Sequence, residues 1–150
     1  MLRVTDPAPT VPFSLLTLGV GDVERAAAFY VAAGFDRPPG PDGLVLLRTV
    51  GTVIALHPWD ALARDAAVPS PGQSWAFRGV TMASNQASRA EVDAAYARWM
   101  AVGGTSVRPP RETSWGGYSG YVADLDGHLW ELAHNPFLTF EPGGGFTLHA

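Results

Sequence analysis

The sequence predicts an α+β protein built from two similar halves, each with one strand, one helix and three further strands. Three observations carry this prediction. The same order of elements recurs about 65 residues further along the 150-residue chain. Both helices have a capping residue and the same spacing of apolar side chains. The second half also contains an Asp-Gly pair between two strands, a strong signal for a β-hairpin.

The first half begins with a strand followed by a helix. Residues 14–20 alternate between apolar and other side chains, as a half-buried strand does. Asp22 is placed to cap the helix, and Gly34 is placed to end it. One apolar stripe at three- and four-residue spacing runs along the helix, formed by Val23, Ala26, Ala27, Tyr30, Val31 and Gly34.

Two of the further strands and a connector follow in the first half. Residues 44–48 and 52–57 have strand character and are joined through Gly51. Residues 58–73 are polar and contain several prolines, so we interpret them as a connector without regular structure.

The second half repeats the strand and the helix. Residues 75–83 predict a strand that places Trp75, Phe77 and Gly79 on one face. Ser88 and Glu91 have the spacing of a capping box, which satisfies free amides at the start of a helix. The helix behind them carries the stripe Val92, Ala95, Tyr96 and Trp99.

Three strands and an apolar tail follow the second helix. Residues 105–108, 117–123 and 128–134 predict the strands, and Asp124-Leu125-Asp126-Gly127 predicts a tight turn between the last two. Residues 135–150 are too apolar for a solvated linker. We expect this tail to cover the binding site or to reach a second subunit.

The composition excludes several classes of protein. The formal net charge is -4, and the ten basic residues, all arginine, are scattered rather than clustered, which argues against nucleic-acid binding. No apolar run approaches the roughly 20 residues that a membrane helix needs. The chain has no cysteine, so disulfides and thiolate metal sites are excluded. We expect a soluble, cytoplasmic protein.

Two longer stretches carry a family resemblance. Residues 16–22, Leu-Thr-Leu-Gly-Val-Gly-Asp, lead into Ala28-Phe29-Tyr30 and Gly34-Phe35. Residues 115–131 read Trp-Gly-Gly-Tyr-Ser-Gly-Tyr-Val-Ala-Asp-Leu-Asp-Gly-His-Leu-Trp-Glu, with leucine where the family usually has proline. Together with the internal repeat, these stretches resemble the vicinal oxygen chelate superfamily of glyoxalases, bleomycin resistance proteins and dioxygenases.

The resemblance implies a single domain over residues 1–150 with two βαβββ modules. Their strands would form a curved mixed sheet around a cup, with the helices outside. Module one would span about residues 13–58 and the linker about 59–73, with module two at about 74–136 and the apolar tail at 137–150. Many proteins of this family and size are homodimers, and we expect one here.

The resemblance also implies where a metal would bind in metal-dependent relatives. Glu131 matches the family's glutamate ligand, whereas the other positions hold Leu15, Ala55 and Gly79, which offer no donor atom. A catalytic divalent metal needs about three nitrogen or oxygen ligands. We therefore expect no metal and no other cofactor. His57 leaves one alternative open, a displaced metal site formed with Glu131, because His57 shares the face of Ala55.

The same strand alternation assigns residues to a binding cup. Glu131 would face the cup together with residues on the strands around it, while His128 and His134 would face away from Glu131. The predicted ligand-binding residues are Leu15, Thr17, Ala55, His57, Trp75, Phe77, Gly79, Trp115, Tyr118, Tyr121 and Glu131. The aromatic members suit a flat organic molecule, although core or dimer packing explains aromatic residues equally well.

These observations favour a metal-independent protein that binds a small organic ligand, aromatic or cationic, between Glu131 and the aromatic side chains. The alternative is an enzyme, in which Glu131 acts as a general base in a metal-free isomerase, cyclase or lyase. A displaced metal site would instead support glyoxalase or dioxygenase chemistry. A structural role for Glu131, bonded to a neighbouring side chain, also remains open.

Overall fold

The computed structural model describes residues 13–40, 43–70, 72, 75–143 and 145–148. The first half contains β1 (Leu15–Val20), α1 (Val23–Ala32), β2 (Val45–Arg48), β3 (Val53–Pro58) and α2 (Trp59–Asp65). The second half contains β4 (Met82–Asn85), α3 (Arg89–Ala101), β5 (Thr105–Glu112), β6 (Tyr118–Ala123), β7 (Leu129–His134), β8 (Leu138–Phe140) and β9 (Phe146–Leu148). Within these residues, no helix is long and apolar enough to cross a membrane.

The strands of the two halves form two open, curved, mixed sheets. Sheet one has the order β1-β3-β2, and sheet two has the order β4-β7-β6-β5. Each sheet contains one parallel pair, in which Thr17 of β1 lies opposite Ala55 of β3 and Ala83 of β4 lies opposite Glu131 of β7. The predicted α+β class with two related modules is confirmed.

The predicted helix starts are confirmed by their hydrogen bonds. The Asp22 carboxylate accepts a bond of 2.9 Å from the backbone N–H of Arg25. The Ser88 hydroxyl oxygen accepts one of 3.2 Å from the N–H of Glu91. The Glu91 carboxylate reaches back to the N–H of Ala87 at 3.1 Å, one residue before the usual partner in a capping box. Each helix therefore begins where its local sequence dictates.

The hydrophobic core joins the two halves through their helices. Trp99 of α3 lies with its ring centroid 5.3 Å from that of Phe29 on α1 and 5.6 Å from that of Trp130 on β7. Such aromatic pairs add roughly 0.5–1.5 kcal/mol each beyond their burial. Val31, which the sequence predicts in the buried stripe of α1, is 46% exposed. Phe29 is buried instead, because α1 packs against α3 as well as against its own sheet.

A buried polar network crosses the same interface. The Tyr30 hydroxyl donates a hydrogen bond of 2.6 Å to the Asp124 carboxylate and accepts one of 3.1 Å from the Trp130 indole N–H. The other oxygen of Asp124 accepts the backbone N–H groups of Asp126 and His128 at 2.9 and 2.8 Å. Asp124 thus ties α1 of the first half to the β6–β7 turn of the second.

We expect this network to make the protein sensitive to alkaline pH. Burial raises the pKa of Tyr30 well above 10.0, and the neighbouring Asp124 charge raises it further. The unfolded chain therefore releases the tyrosine proton first, and stability falls as the pH rises above about 10. The chain has no lysine or cysteine, so its four tyrosines dominate this pH range.

Urea denaturation at pH 9, 10 and 11 measures this effect. Tyr30 should contribute a slope of up to about 1.4 kcal/mol per pH unit. Tyr30→Phe should therefore show a shallower decline, with the remainder coming from Tyr118 and Tyr121, whose pKa values are also raised. Equal slopes in the variant and the parent protein would contradict the assignment to Tyr30.

Three predictions about the connecting segments are wrong or incomplete. The connector predicted at 58–73 contains α2. The strand predicted at 75–83 begins only at Met82, because Gly79 adopts a φ of +75°, which a regular strand does not accommodate. Module one lacks the third further strand that the repeat predicts within its described residues. An isolated bridge between Asp36 and Arg48 lies at that edge of sheet one instead. The apolar tail forms the β8–β9 hairpin within its described residues.

Candidate functional site

A cavity of about 550 Å³ lies where the two halves meet. Its walls come from β1, α2, the irregular segment before β4 and one end of the open face of sheet two. Most of the lining is apolar, including Leu16, Leu18, Leu62, Val68, Val80, Met82, Val107 and Leu129. The volume falls within the range of about 300–1,000 Å³ typical of small-molecule sites.

The helix that the sequence did not predict forms one wall of this cavity. Trp59, at the start of α2, lies against β1 at Gly19, where an added Cβ atom would lie only 3.2 Å from the indole ring. A larger residue at Gly19 would therefore displace Trp59. At the other end of α2, Asp65 lies 3.1 Å from the Nε2 atom of His57 on β3. These two contacts hold α2 across the open face of sheet one.

Two aromatic side chains stand at the mouth of the cavity. Trp75 and Phe77 line it and remain 67% and 69% exposed. The Trp75 ring rests on the β6–β7 turn, only 3.1 Å from where a Cβ atom on Gly127 would lie. Exposed aromatic rings beside an apolar cavity are surfaces that a ligand can cover.

A polar corner closes one end of the same cavity. The Arg78 guanidinium lies 4.5 Å from the centroid of the Trp59 ring and donates a hydrogen bond of 2.8 Å to the carbonyl oxygen of Asp126. A second guanidinium nitrogen lies 3.0 Å from Nδ1 of His128, and Nε2 of that imidazole lies 2.8 Å from the carbonyl oxygen of Gly19. The corner thus joins residues from both halves.

Glu131 occupies a different part of the open face of sheet two. It lies directly opposite Tyr121 of β6 in the register of the sheet. Burial raises the pKa of Tyr121, and the neighbouring Glu131 carboxylate raises it further. Arg108 lies 5.0 Å from the centroid of the Tyr121 ring and donates a bond of 2.9 Å to the Ser119 hydroxyl. Glu131 is not among the residues that line the cavity.

The structure brings together only some of the residues predicted to bind a ligand. Thr17, Trp75 and Phe77 line the cavity. Tyr118 lies on the helix-facing side of β6 and donates a hydrogen bond of 2.8 Å to Asp93 of α3. The other predicted residues do not line the cavity. They are Leu15, Ala55, His57, Gly79, Trp115, Tyr121 and Glu131.

Comparison with known proteins agrees with this architecture. A sequence model of the Glyoxalase/Bleomycin resistance protein/Dioxygenase superfamily matches residues 12–132. The chain belongs to this superfamily. A solved structure of a glyoxalase-related enzyme from Fulvimarina pelagi is 31% identical to this superfamily member. That match covers 93% of this chain and 99% of the other, with a TM-score of 0.82.

More distant structures share the superfamily fold. A glyoxalase/bleomycin resistance protein/dioxygenase from Nocardioides is 24% identical and covers 84% of each chain, with a TM-score of 0.70. A lactoylglutathione lyase from Agrobacterium tumefaciens is 22% identical, and the match covers 89% of this chain and 100% of that one, with a TM-score of 0.65. No curated protein matches this superfamily member.

The residues at the positions that bind a metal in metal-dependent relatives do not supply the ligands for one. Gly79 lies before β4, so its predicted place on that strand is wrong, and Ala83 takes the position beside Glu131. Neither Ala83 nor Leu15 nor Ala55 has a donor atom in its side chain. Across the described parts of the chain, no three His, Asp or Glu side chains are grouped to hold a metal ion. Glu131 is left without the further ligands that such a site requires.

The sequence predicts Trp59 near the mouth of the cup, but it does not predict that Trp59, Arg78 and His128 meet in one polar corner. Trp59 and Arg78 lie in segments whose structure was predicted incorrectly. His128 was set aside because its side chain alternates with that of Glu131. One sequence signal for His128 was available, the motif Asp-Gly-His. It places His128 directly after a tight turn, and a residue in that position lies at the end of the sheet. That end is where the cavity lies.

Proposed function

We propose that this superfamily member binds a small, mainly apolar organic molecule in the cavity without the help of a metal. The observation that carries the proposal is the 550 Å³ apolar cavity with Trp75 and Phe77 exposed at its mouth. Covering a large apolar side chain contributes roughly 1.5–3 kcal/mol. The two rings alone would thus offset part of the entropy that a ligand loses on binding, and the cavity walls would supply the rest.

The lining favours an aromatic or similarly compact ring system over a flexible polar molecule. The walls combine indole and phenyl rings with branched aliphatic side chains, and such surfaces gain most from a rigid, flat ligand. Sequestration or transport of such a molecule needs only this pocket. The predicted involvement of Glu131 remains part of the proposal as a neighbouring group, because Leu129, two residues before it on the same face of β7, lines the cavity.

A second candidate function is metal-free catalysis at Glu131. The observation that favours it is the position of Glu131 on the open face of sheet two, directly opposite Tyr121 of β6. A positioned carboxylate can act as a general base on a substrate that extends from the cavity. An enzyme would convert its ligand and lose turnover in Glu131→Gln, whereas a sequestering protein would release the ligand unchanged.

Blocking the cavity tests the leading proposal. Ala63 lies on α2 and lines the cavity, so Ala63→Trp should fill part of it. We expect N-phenyl-1-naphthylamine, a neutral aromatic probe, to bind the parent protein with increased fluorescence, in the presence of a metal chelator as well as without it. Ala63→Trp should weaken the probe's affinity by about tenfold or more, equivalent to about 1.4 kcal/mol.

A matched substitution serves as the control for this experiment. Ala28 is an exposed residue of α1 that does not line the cavity, so Ala28→Trp should leave probe affinity unchanged. If the probe binds both tryptophan variants as tightly as the parent protein, it does not use the cavity. If a chelator abolishes binding, the protein depends on a metal and the proposal is wrong.

We also propose that the protein forms a homodimer and is located in the cytoplasm. Large apolar side chains are exposed outside the cavity, among them Leu15, Trp115 and Phe137. Their burial against a second copy of the chain would be favourable, as in other subunit interfaces. The cytoplasmic location stays a prediction from the sequence.

A further inference from the structure

We infer that the ligand of this cavity is an organic anion, with an apolar ring system in the body of the cavity and a carboxylate or similar group at the Arg78 corner. This inference rests on the proposed binding function and specifies the chemical class of the ligand. It departs from the expectation of a cationic ligand, which depended on Glu131 as the charged group.

Basic side chains supply the titratable groups of the cavity lining. Among the described residues that line it, Arg78 and His128 are the side chains with titratable groups, and none is an aspartate or a glutamate. Glu131 lies outside this lining, opposite Tyr121 of β6. A ligand in the cavity therefore meets a basic corner and otherwise mostly apolar walls.

The hydrogen bonds show which of these two side chains carries charge. A guanidinium can only donate, so Nδ1 of His128 must accept the bond of 3.0 Å from Arg78. A carbonyl oxygen can only accept, so Nε2 of His128 carries the hydrogen that bonds to Gly19 at 2.8 Å. This arrangement is the neutral imidazole with its proton on Nε2. Arg78 therefore supplies the positive charge of the corner.

The position of the guanidinium is fixed before any ligand arrives. Its plane lies against the Trp59 ring, and its nitrogen atoms bond to the Asp126 carbonyl oxygen and to His128. An arginine normally loses considerable side-chain freedom when it binds an anion. The Arg78 side chain has already lost much of this conformational freedom when the protein folds, so a ligand restricts it little further. The planar guanidinium also matches the geometry of a carboxylate better than a lysine ammonium would.

The surrounding walls strengthen this charge preference. Interactions between charges grow as the effective dielectric constant falls, and an apolar cavity excludes much of the water that would screen them. The Arg78 charge attracts an anion and repels a cation. The buried Asp126 carboxylate in the β6–β7 turn opposes part of this field, and it accepts the backbone N–H of Gly21 at 2.8 Å. An anionic ligand should thus bind more tightly than a neutral molecule of the same shape, and a cationic one more weakly.

Three ligands of nearly equal shape test the inference. Isothermal titration calorimetry at pH 7 and low salt would compare 2-naphthoate, the neutral 2-naphthamide and the cationic 2-naphthylmethylammonium. We expect naphthoate to bind about tenfold more tightly than naphthamide, and the ammonium compound to bind most weakly. Equal affinities, or tightest binding of the ammonium compound, would overturn the inference while leaving the binding function intact. Failure of all three to bind would instead overturn the proposed function.

Variants of Arg78 assign the preference to this residue. Arg78→Met keeps much of the side-chain length but removes the charge, so it should lower the ratio of naphthoate affinity to naphthamide affinity from about ten to about one, even where both affinities change together. Arg78→Lys should keep part of that advantage. Arg98→Met removes one charge from α3, away from the cavity lining, and should change none of the three affinities. Retention of the full naphthoate advantage in Arg78→Met would overturn the assignment.

Discussion

Replacing Asp124 with alanine is expected to lower the free energy of unfolding by about 4 kcal/mol. The side chain is only 1% exposed and accepts hydrogen bonds from Tyr30 and from the backbone of Asp126 and His128. Its removal leaves three buried or half-buried donors without their acceptor. Each such donor costs roughly 1–3 kcal/mol, and the turn between β6 and β7 would lose the group that closes it.

Urea denaturation of Asp124→Ala and two companion variants measures this effect. Tyr30→Phe removes one of the three bonds and should cost about 1–2 kcal/mol. Asp36→Ala removes an aspartate that pairs with Arg48 at the surface, and it should cost less than about 1 kcal/mol. If Asp124→Ala were no more destabilising than Asp36→Ala, the buried network would not be what joins the two halves.

Much of the fold follows from short segments of sequence, because the signals that define it are local. Asp22 and Ser88 cap helices through bonds to residues three positions away, so the sequence alone predicts where α1 and α3 begin. The turn at 124–127 depends on four consecutive residues, with Gly127 at a φ of +81°. Such elements do not need the rest of the chain to specify them.

The segments predicted incorrectly depend on distant contacts instead. α2 has seven residues and buries none of them fully, so it shows no apolar stripe that a sequence pattern could reveal. Trp75 and Phe77 alternate as strand residues do, yet β4 starts only after them. Their rings line the cavity mouth instead, and Gly79 interrupts the extended backbone before the sheet begins.

The polar corner of the cavity was equally inaccessible from the sequence. Trp59, Arg78 and His128 lie far apart along the chain, and each has an ordinary interpretation on its own. Alternation along β7 predicts that His128 faces away from Glu131, but it cannot reveal that His128 lines the cavity and lies 2.8 Å from the carbonyl oxygen of Gly19. Only the packing of one half against the other places these three side chains together.

Replacing Trp59 with alanine is expected to detach α2 from sheet one and to destroy the cavity wall. Trp59 packs against Gly19, Arg78 and His128, whereas no side chain of α2 is fully buried and its N-terminus has no side-chain cap. A short helix with so little burial depends on its main anchor. The free energy needed to unfold α2 locally should fall by about 2–3 kcal/mol. This change corresponds to a roughly hundredfold loss of hydrogen-exchange protection in α2.

Hydrogen exchange read by mass spectrometry would locate this loss in residues 59–66 while the protection of α1 and α3 stays intact. The affinity for N-phenyl-1-naphthylamine should fall together with the protection, because α2 supplies one wall of the cavity. Trp115→Ala is the matched control, since Trp115 is 44% exposed and lies outside the lining. Unchanged protection of α2 in Trp59→Ala would mean that His57 and Asp65 suffice to hold the helix, whereas unchanged probe binding would show that the ligand does not rely on this wall.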